Sequence, residues 1–561
     1  MLLKTFCRDA RLNRLQSTPP IRSLAPEEGS FEIPLWGVPL VLMILWVCLF
    51  SGLGAIGLVG PDEPRYAAIA RAMAETHDWI TPRLWGTPWF EKPVLYYWTA
   101  GLAMRLFGVS EFAARLPSAL AGLLAVAAAA WAALRSYGIG AAWYTLLILP
   151  TSVAMIGFSR AAGPDMLFAA LLTAAMAVAV EILQRDKPGP IWQIAFGFFL
   201  GAAVLAKGPA AAILAGGATL AWAAISRQWL APFRLLHPVV LAAFGGTALP
   251  WYVLCALRNP DFLRVFIWQH NFERYTTPIF EHRQPIWFFL PVFLLGILPW
   301  MPALTTVFVD AKRSARSAIE NRSPSLFIAC WAAFTLLFFS LSQSKLPGYI
   351  LPAIPPGILL LARSLRSDFV WHDRLRKIAI LSTGFATPLV LVLALAKLHA
   401  SIDARTQLYA SLMKAFEISL LPALLGCGLV VGFSFARKLN AVVWTTVLSV
   451  AALVALANQM ILPRLDATTV RPAAEWTIGM HSLRPQDVAV LGLPRSYQYG
   501  LNYYFNSTLS EWTPENEHAK VVFCGDEAAT STHFPNRIDA PVPATPDGKV
   551  QLVLLRPQTT K

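Results

Sequence analysis

Gly60-Pro61-Asp62-Glu63-Pro64-Arg65-Tyr66 is the stretch on which the reading of this chain turns. It stands where an apolar run of membrane length, residues 35–59, comes to an end. Two adjacent carboxylates at a membrane boundary are costly unless they meet water or a polar site, so the stretch points to function. Phe90-Glu91-Lys92-Pro93 and then Tyr96-Tyr97-Trp98 follow. Acid, base and aromatic residues therefore gather on one face of a largely apolar chain.

The rest of the sequence carries the same signature. Of 561 residues, 56% are hydrophobic and only 14% are charged, and the mean hydropathy is +0.53. Apolar runs of roughly 17–25 residues recur along it, the length that crosses a hydrocarbon core as helix. The sequence predicts a polytopic α-helical membrane protein. Its net charge of +14 is not a nucleic-acid signal, because Lys and Arg of membrane proteins collect in cytoplasmic loops and no basic run is interleaved with aromatics. Cys7, Cys48, Cys255, Cys330 and Cys427 lie in the amino-terminal tail or in apolar runs, Cys524 lies in the polar tail, and no CxxC or metal spacing occurs. The amino terminus lacks a cleavable-signal pattern. The lack of a P-loop, a GxGxxG after a strand and an HExxH weighs against an ATP-driven transporter or a membrane metalloprotease.

Spans are expected near 35–59, 113–134, 139–157, 165–183, 191–206, 209–226, 236–257, 286–309, 325–343, 347–362, 377–398, 418–436 and 441–462, about thirteen in all. Residues 94–107 carry Arg105, are short for a span, and are read as a helix lying along the interface. With that segment excluded, the tail basic residues, Arg185/Lys187, Arg227/Arg234, Lys312/Arg313/Arg316/Arg322, Arg363 to Lys377, and Arg437/Lys438 share one side, which is then cytoplasmic. Loops 60–112 and 258–285 and the turns at 159–165 and 342–349 fall on the other side. The expected organisation is a cytoplasmic tail, 1–34; a membrane domain, 35–462; and a small α/β domain, 463–561, on the outer face. In that last part Ala473–Ser482 reads as helix and Val488–Leu493, Lys520–Cys524 and Gln551–Leu555 as strands, with Pro541–Gly548 loose.

Asp62 and Glu63 are the first candidates for chemistry, and neighbouring carboxylates need not point the same way, so Asp62 is favoured. Arg65 and Tyr66 pack or hold the loop or line the cavity with Tyr96 and Tyr97, and Arg65 has the alternative of pairing with an acid. Lys92 offers a point charge to a lipid phosphate, or else snorkels. Glu91 orients it or joins His270 at a divalent metal, a requirement the sequence leaves open. Asp165 begins a span, where an Asp also serves as a dipole partner. Lys207, at a turn between spans, needs a partner: Asp62, Asp165 or a substrate phosphate. His270 and Arg274 share a face if their loop is helical. Lys345 and Tyr349 lie in a Pro/Gly turn on the same side, and a Tyr hydroxyl there is a donor for a phosphate oxygen. Fixed cations stabilise the charge on a departing phosphate, while a carboxylate orients or deprotonates an acceptor hydroxyl. One-step displacement at a sugar's anomeric carbon inverts it. A transporter would instead place polar residues at mid-membrane in pseudo-symmetric halves.

Gly60–Tyr66, Phe90–Pro93, Gly163-Pro164-Asp165, Ala206-Lys207-Gly208-Pro209 and Lys345-Leu346-Pro347-Gly348-Tyr349, in that order, resemble the bacterial integral-membrane GT-C glycosyltransferases, most closely the aminoarabinose lipid A transferases (ArnT), relatives of the protein O-mannosyltransferases. The likeness covers roughly residues 35–365. It implies a multi-pass inner-membrane enzyme with periplasmic chemistry, taking a sugar from undecaprenyl phosphate to an envelope acceptor such as lipid A, the modification behind polymyxin resistance. It implies Asp62 and Asp165 in the catalytic cavity and Lys92, Arg274 and Tyr349 around the carrier phosphate, with Lys207 nearby. A protein O-glycosyltransferase carries the same motifs. A monomer working among membrane lipids, with no nucleic-acid partner, is expected.

Overall fold

The computed structural model describes residues 36–277, 284–320, 323–366, 371–401, 406–481, 483–513, 519–531, 534, 537–538, 542–546 and 549–555. The basic amino-terminal tail and Glu281-His282-Arg283 lie outside the described residues. Among those described, nine helices are long and apolar enough to cross a membrane, or ten if one bent pair counts as a span, and Gly37–Phe50 and Ala210–Ser226 are shorter apolar helices. This is a multi-pass membrane protein, and many of its helices start on proline: Pro164, Pro190, Pro238 and Pro324 each open one at the first turn, where a missing N–H costs nothing.

Three expected spans differ, each for a local reason. Residues 35–59 do not form one helix. The helix ends in a π-turn at Trp46–Phe50, because Gly52, Gly54, Gly57 and Gly60 follow, with Gly52 and Gly60 at positive φ. Residues 139–157 break at Pro150 into Ile139–Ile148 and Val153–Ser159, bent by 62°. Residues 286–309 divide into Phe289–Gly296, a turn at Pro299, a short 3-10 turn at Pro302–Leu304 and the amphipathic helix Thr305–Glu320. The segment set aside as interfacial is a separate helix, Leu95–Phe107, 13 residues long. It buries Tyr96, Tyr97, Ala100 and Met104 against its neighbours and leaves Leu102, Leu106 and Phe107 exposed.

The carboxyl-terminal part is a mixed sheet flanked by helices. The strands are numbered after a small hairpin, β1 (Arg83–Leu84) and β2 (Thr87–Pro88). They are β3 (Val488–Leu491), β4 (Ser510–Glu511), β5 (Val521–Gly525), β6 (Val542–Pro543) and β7 (Val550–Leu554), in the spatial order β4-β3-β5-β7-β6. Successive side chains face opposite sides. Val488, Val490, Val521 and Phe523 join one core and Ala489, Val522 and Cys524 the other. The stretch expected to be loose at Pro541–Gly548 contributes β6, paired through Val542 to Leu552.

This part grips the first loop of the membrane part. Asp466 accepts from the Gly57 amide at 2.7 Å. The Tyr504 hydroxyl accepts from Leu58 at 3.1 Å and donates to Glu111 at 2.8 Å. Arg471 donates to the Gly54 carbonyl at 3.1 Å and pairs with Asp466 at 2.6 Å.

Candidate functional site

Helix ends bring the charged groups together. Asp62 and Glu63 occupy the first turn of the Asp62–Thr76 helix, and Asp165 the first turn of Pro164–Gln184. Carboxylates there are stabilised by the helix dipole. Lys207 ends the Pro190–Lys207 helix, the complementary position for a cation. A loop at 185–189 joins these last two helices, so the start of one returns beside the end of the other. Lys207 ion-pairs with Asp165, its ammonium 4.6 Å from the centre of the Tyr349 ring. Gly208, at φ +98°, turns the chain away immediately afterwards.

Glu91 is the hub. Its carboxylate lies 3.0 Å from Arg65, 3.2 Å from Arg274 and 3.5 Å from Lys92, and is 9% exposed. Burial alone would raise this carboxyl, but Lys92, Arg65 and Arg274 override it and hold it well below the usual carboxylate range. Arg65 also reaches Asp62 at 2.6 Å and lies over the rings of Tyr66 and Trp89. Arg274 bonds to the Tyr349 hydroxyl. Burial pushes the Lys92 ammonium down to about 8, against the upward pull of Glu91. His270 sits on the π-helical segment Arg264–Glu273, where the face-sharing expected of an α-helix does not apply. It still lies within the field of Glu91, and burial pushes it down to about 4.

Four cations (Arg65, Lys92, Lys207 and Arg274) thus meet three carboxylates (Asp62, Glu91 and Asp165), an excess of one positive charge. The cluster is suited to an anion. Among the described residues no group of three or more His, Cys, Asp or Glu is placed to hold a metal ion, and Glu91 already faces three cations.

Three residues picked out from the sequence have other tasks. Glu63 accepts from both Arg115 Nε at 3.1 Å and Nη2 at 2.7 Å, from the Val59 amide at 2.8 Å and from the Ala162 amide at 2.7 Å. Four donors occupy the lone pairs of a carboxylate, so nothing is left to act as a base. Tyr96 is buried and donates to the Ala114 carbonyl at 2.7 Å, which makes it a tie between helices. Lys345 is buried and donates to the Ser342 carbonyl. By contrast, the buried Tyr97 hydroxyl has no hydrogen-bond partner among the described residues. It feels Glu91, Arg65 and Asp62, and burial raises it above the usual tyrosine range. Sequence reading missed Arg115, although a lone Arg inside an apolar span is a signal in its own right.

A separate cavity of about 900 Å³ reaches Gly60, two residues before Asp62. Ile56, Leu58, Leu391 and Val450 are among its apolar walls, and Lys397 and Lys549 also line it.

The architecture, with this charged cluster at its helix ends, is a GT-C type membrane fold. Residues 35–266 match the family of dolichyl-phosphate-mannose-protein mannosyltransferases. The whole fold is similar to ArnT from Cupriavidus metallidurans bound to undecaprenyl phosphate, with a TM-score of 0.74 at 23% identity, covering 92% of this chain and 97% of that one. The apo state of that protein gives 0.70 over the same shares. Among curated relatives, the undecaprenyl phosphate-alpha-4-amino-4-deoxy-L-arabinose arabinosyl transferase of Edwardsiella ictaluri is 34% identical over 307 residues, 54% of each chain. That of Erwinia tasmaniensis is 30% identical over 366 residues, 64% of this chain and 63% of the relative. The matches thus span between about half and two thirds of these relatives' length.

Proposed function

We propose that this protein transfers a sugar from undecaprenyl phosphate to an acceptor at the periplasmic face of the inner membrane, with 4-amino-4-deoxy-L-arabinose as the sugar and a lipid A phosphate as the acceptor. The observation that carries this is the ring of Arg65, Lys92 and Arg274 on one buried carboxylate, next to the Lys207–Asp165 pair. One unit of excess positive charge suits a lipid phosphate. The basic loops at the opposite helix ends, among them Arg185, Arg234 and Arg437, support a cytoplasmic location for that opposite side. The activity named for the Edwardsiella and Erwinia relatives supports the choice of carrier and sugar.

In this reading the carrier phosphate leaves the anomeric carbon as a stable anion, and Lys92 and Arg274 stabilise the charge it gains. Tyr349 and Lys207 border the same place. Asp62, whose side chain is 58% exposed despite its bond to Arg65, orients the incoming oxygen. Asp165, held by Lys207, is the second aspartate of the site. Attack opposite the departing phosphate inverts the sugar carbon. The apolar cavity ending at Gly60 has the walls for acyl chains and two lysines for anionic groups. The match of residues 35–266 to protein mannosyltransferases favours a second reading, with a protein hydroxyl as acceptor. Purified protein given radiolabelled undecaprenyl-phosphate sugars, with lipid A or peptides, separates the two by which product is labelled. Asp62→Ala and Lys92→Ala should each abolish transfer while the protein remains folded. Full activity in either variant would remove that residue from the mechanism.

A further inference from the structure

Arg115 and Glu63 form a pair whose hydrogen-bonding capacity is fully used. The guanidinium has five N–H donors. Nε and one Nη2 donor go to Glu63, at 3.1 and 2.7 Å, and the second Nη2 donor goes to the Gly57 carbonyl at 2.8 Å. Both Nη1 donors go to the Leu53 and Ile56 carbonyls, at 2.8 and 2.7 Å. The side chain of Arg115 is only 3% exposed. Three carbonyls of a glycine-rich loop that makes no helix of its own are thereby satisfied by one side chain.

The second carboxylate oxygen pairing matters more. Glu63 Oε2 takes the Val59 amide and Oε1 takes the Ala162 amide. Val59 lies three residues before Asp62, and Ala162 three residues before Asp165. Ser118, one turn on from Arg115 in the Glu111–Tyr137 helix, donates to the Gly163 carbonyl at 3.2 Å. One helix thus holds both segments that lead into the two aspartates.

We propose that Glu63 and Arg115 are positioning residues that set Asp62 in register with Asp165, acting through the backbone at 53–59 and at Ala162 without touching substrate. This rests on the reading of Asp62 and Asp165 as the carboxylates of sugar transfer. Glu63→Gln keeps the shape but turns an amide donor toward the guanidinium and toward either the Ala162 or the Val59 amide. Arg115→Lys keeps the charge and loses the fork that holds three carbonyls.

Each variant should lower kcat tenfold or more while KM for the undecaprenyl-phosphate sugar and binding of undecaprenyl phosphate stay within twofold, because Lys92 and Arg274 are untouched. Ser118→Ala, which removes a single bond, should show a smaller loss of the same kind and remains readable if the other two fail to fold. A second readout needs no activity. In an Asp62→Cys background, Glu63→Gln or Arg115→Lys should change the rate of maleimide labelling at position 62 by threefold or more. If the parent protein transfers no sugar, the functional reading fails while labelling still decides the register. Folded variants with parental kcat, or an unchanged labelling rate, would overturn the proposal, as would a loss of carrier binding equal to the loss of kcat.

Discussion

Lys92 should make carrier binding pH-dependent between pH 7 and 9. Its ammonium is 3.5 Å from Glu91 and 12% exposed. Burial pushes it down to about 8, while Arg274 and Lys207 repel it and Glu91 and Asp165 attract it. The shift is downward, so the cation is present below pH 8 and is lost as pH rises through that value. If only the ammonium binds phosphate, the carrier's Kd rises about tenfold from pH 7 to 9, or about 1.4 kcal/mol. Other groups stay fixed across this window. His270 is held down at about 4 and is neutral throughout, Glu91 stays ionised, Arg65 and Arg274 stay charged, and a phosphate monoester has passed its second ionisation near pH ~6. The assay is equilibrium binding of radiolabelled undecaprenyl phosphate to protein in nanodiscs at pH 7, 8 and 9. Lys92→Arg, charged at every pH used, should abolish the decline. A flat parental profile, or a decline as steep in Lys92→Arg, would refute the reasoning.

Glu91→Gln removes the charge that offsets Arg65, Arg274 and Lys92, which at this burial costs about 3–5 kcal/mol of stability. Thermal unfolding should occur at lower temperature, and undecaprenyl phosphate should protect this variant more than the parent, since the ligand supplies the missing anion. Equal protection of the two would count against an anion site there. Gly348→Ala places a Cβ 2.9 Å from the Phe158 ring and 3.1 Å from the Asp165 carboxylate. Overpacking of this kind costs about 1–3 kcal/mol, and initial-rate measurements should give a transfer rate at least tenfold lower with the helical circular dichroism spectrum intact.

The apolar runs were legible because length and hydropathy suffice to mark a membrane helix. Pro164–Gln184 and Pro190–Lys207 fall within a residue or two of their expected bounds. The breaks were harder, although Pro150 and the glycines at 52–60 stood in plain view. Hydropathy averages over a window, and a single residue that cannot continue a helix hardly changes the mean. At the site, each cation's residue type suggested an anion, but its partner lay far along the chain: Arg274 reaches Glu91 across 183 residues. Glu63 and Arg115, 52 residues apart, show the limit most sharply. The sequence favours Asp62 over its neighbour Glu63 for chemistry but does not say what Glu63 does instead. What separates them is which backbone amides each one faces, and that is fixed only when three segments fold together.

Gly57 and Leu58 are held by Asp466 and Tyr504, residues that follow them by 409 and 446 positions. During synthesis the amino-terminal helices enter the bilayer first, and these glycine-loop amides wait until nearly the whole polypeptide has been made before their partners arrive. A chain stopped before residue 466 would keep most of its hydrophobic helices and still lack the last fastening of the segment that carries Asp62. The fastening of the loop before Asp62 is therefore among the last contacts such a protein acquires, long after the cations that surround Glu91 have been made.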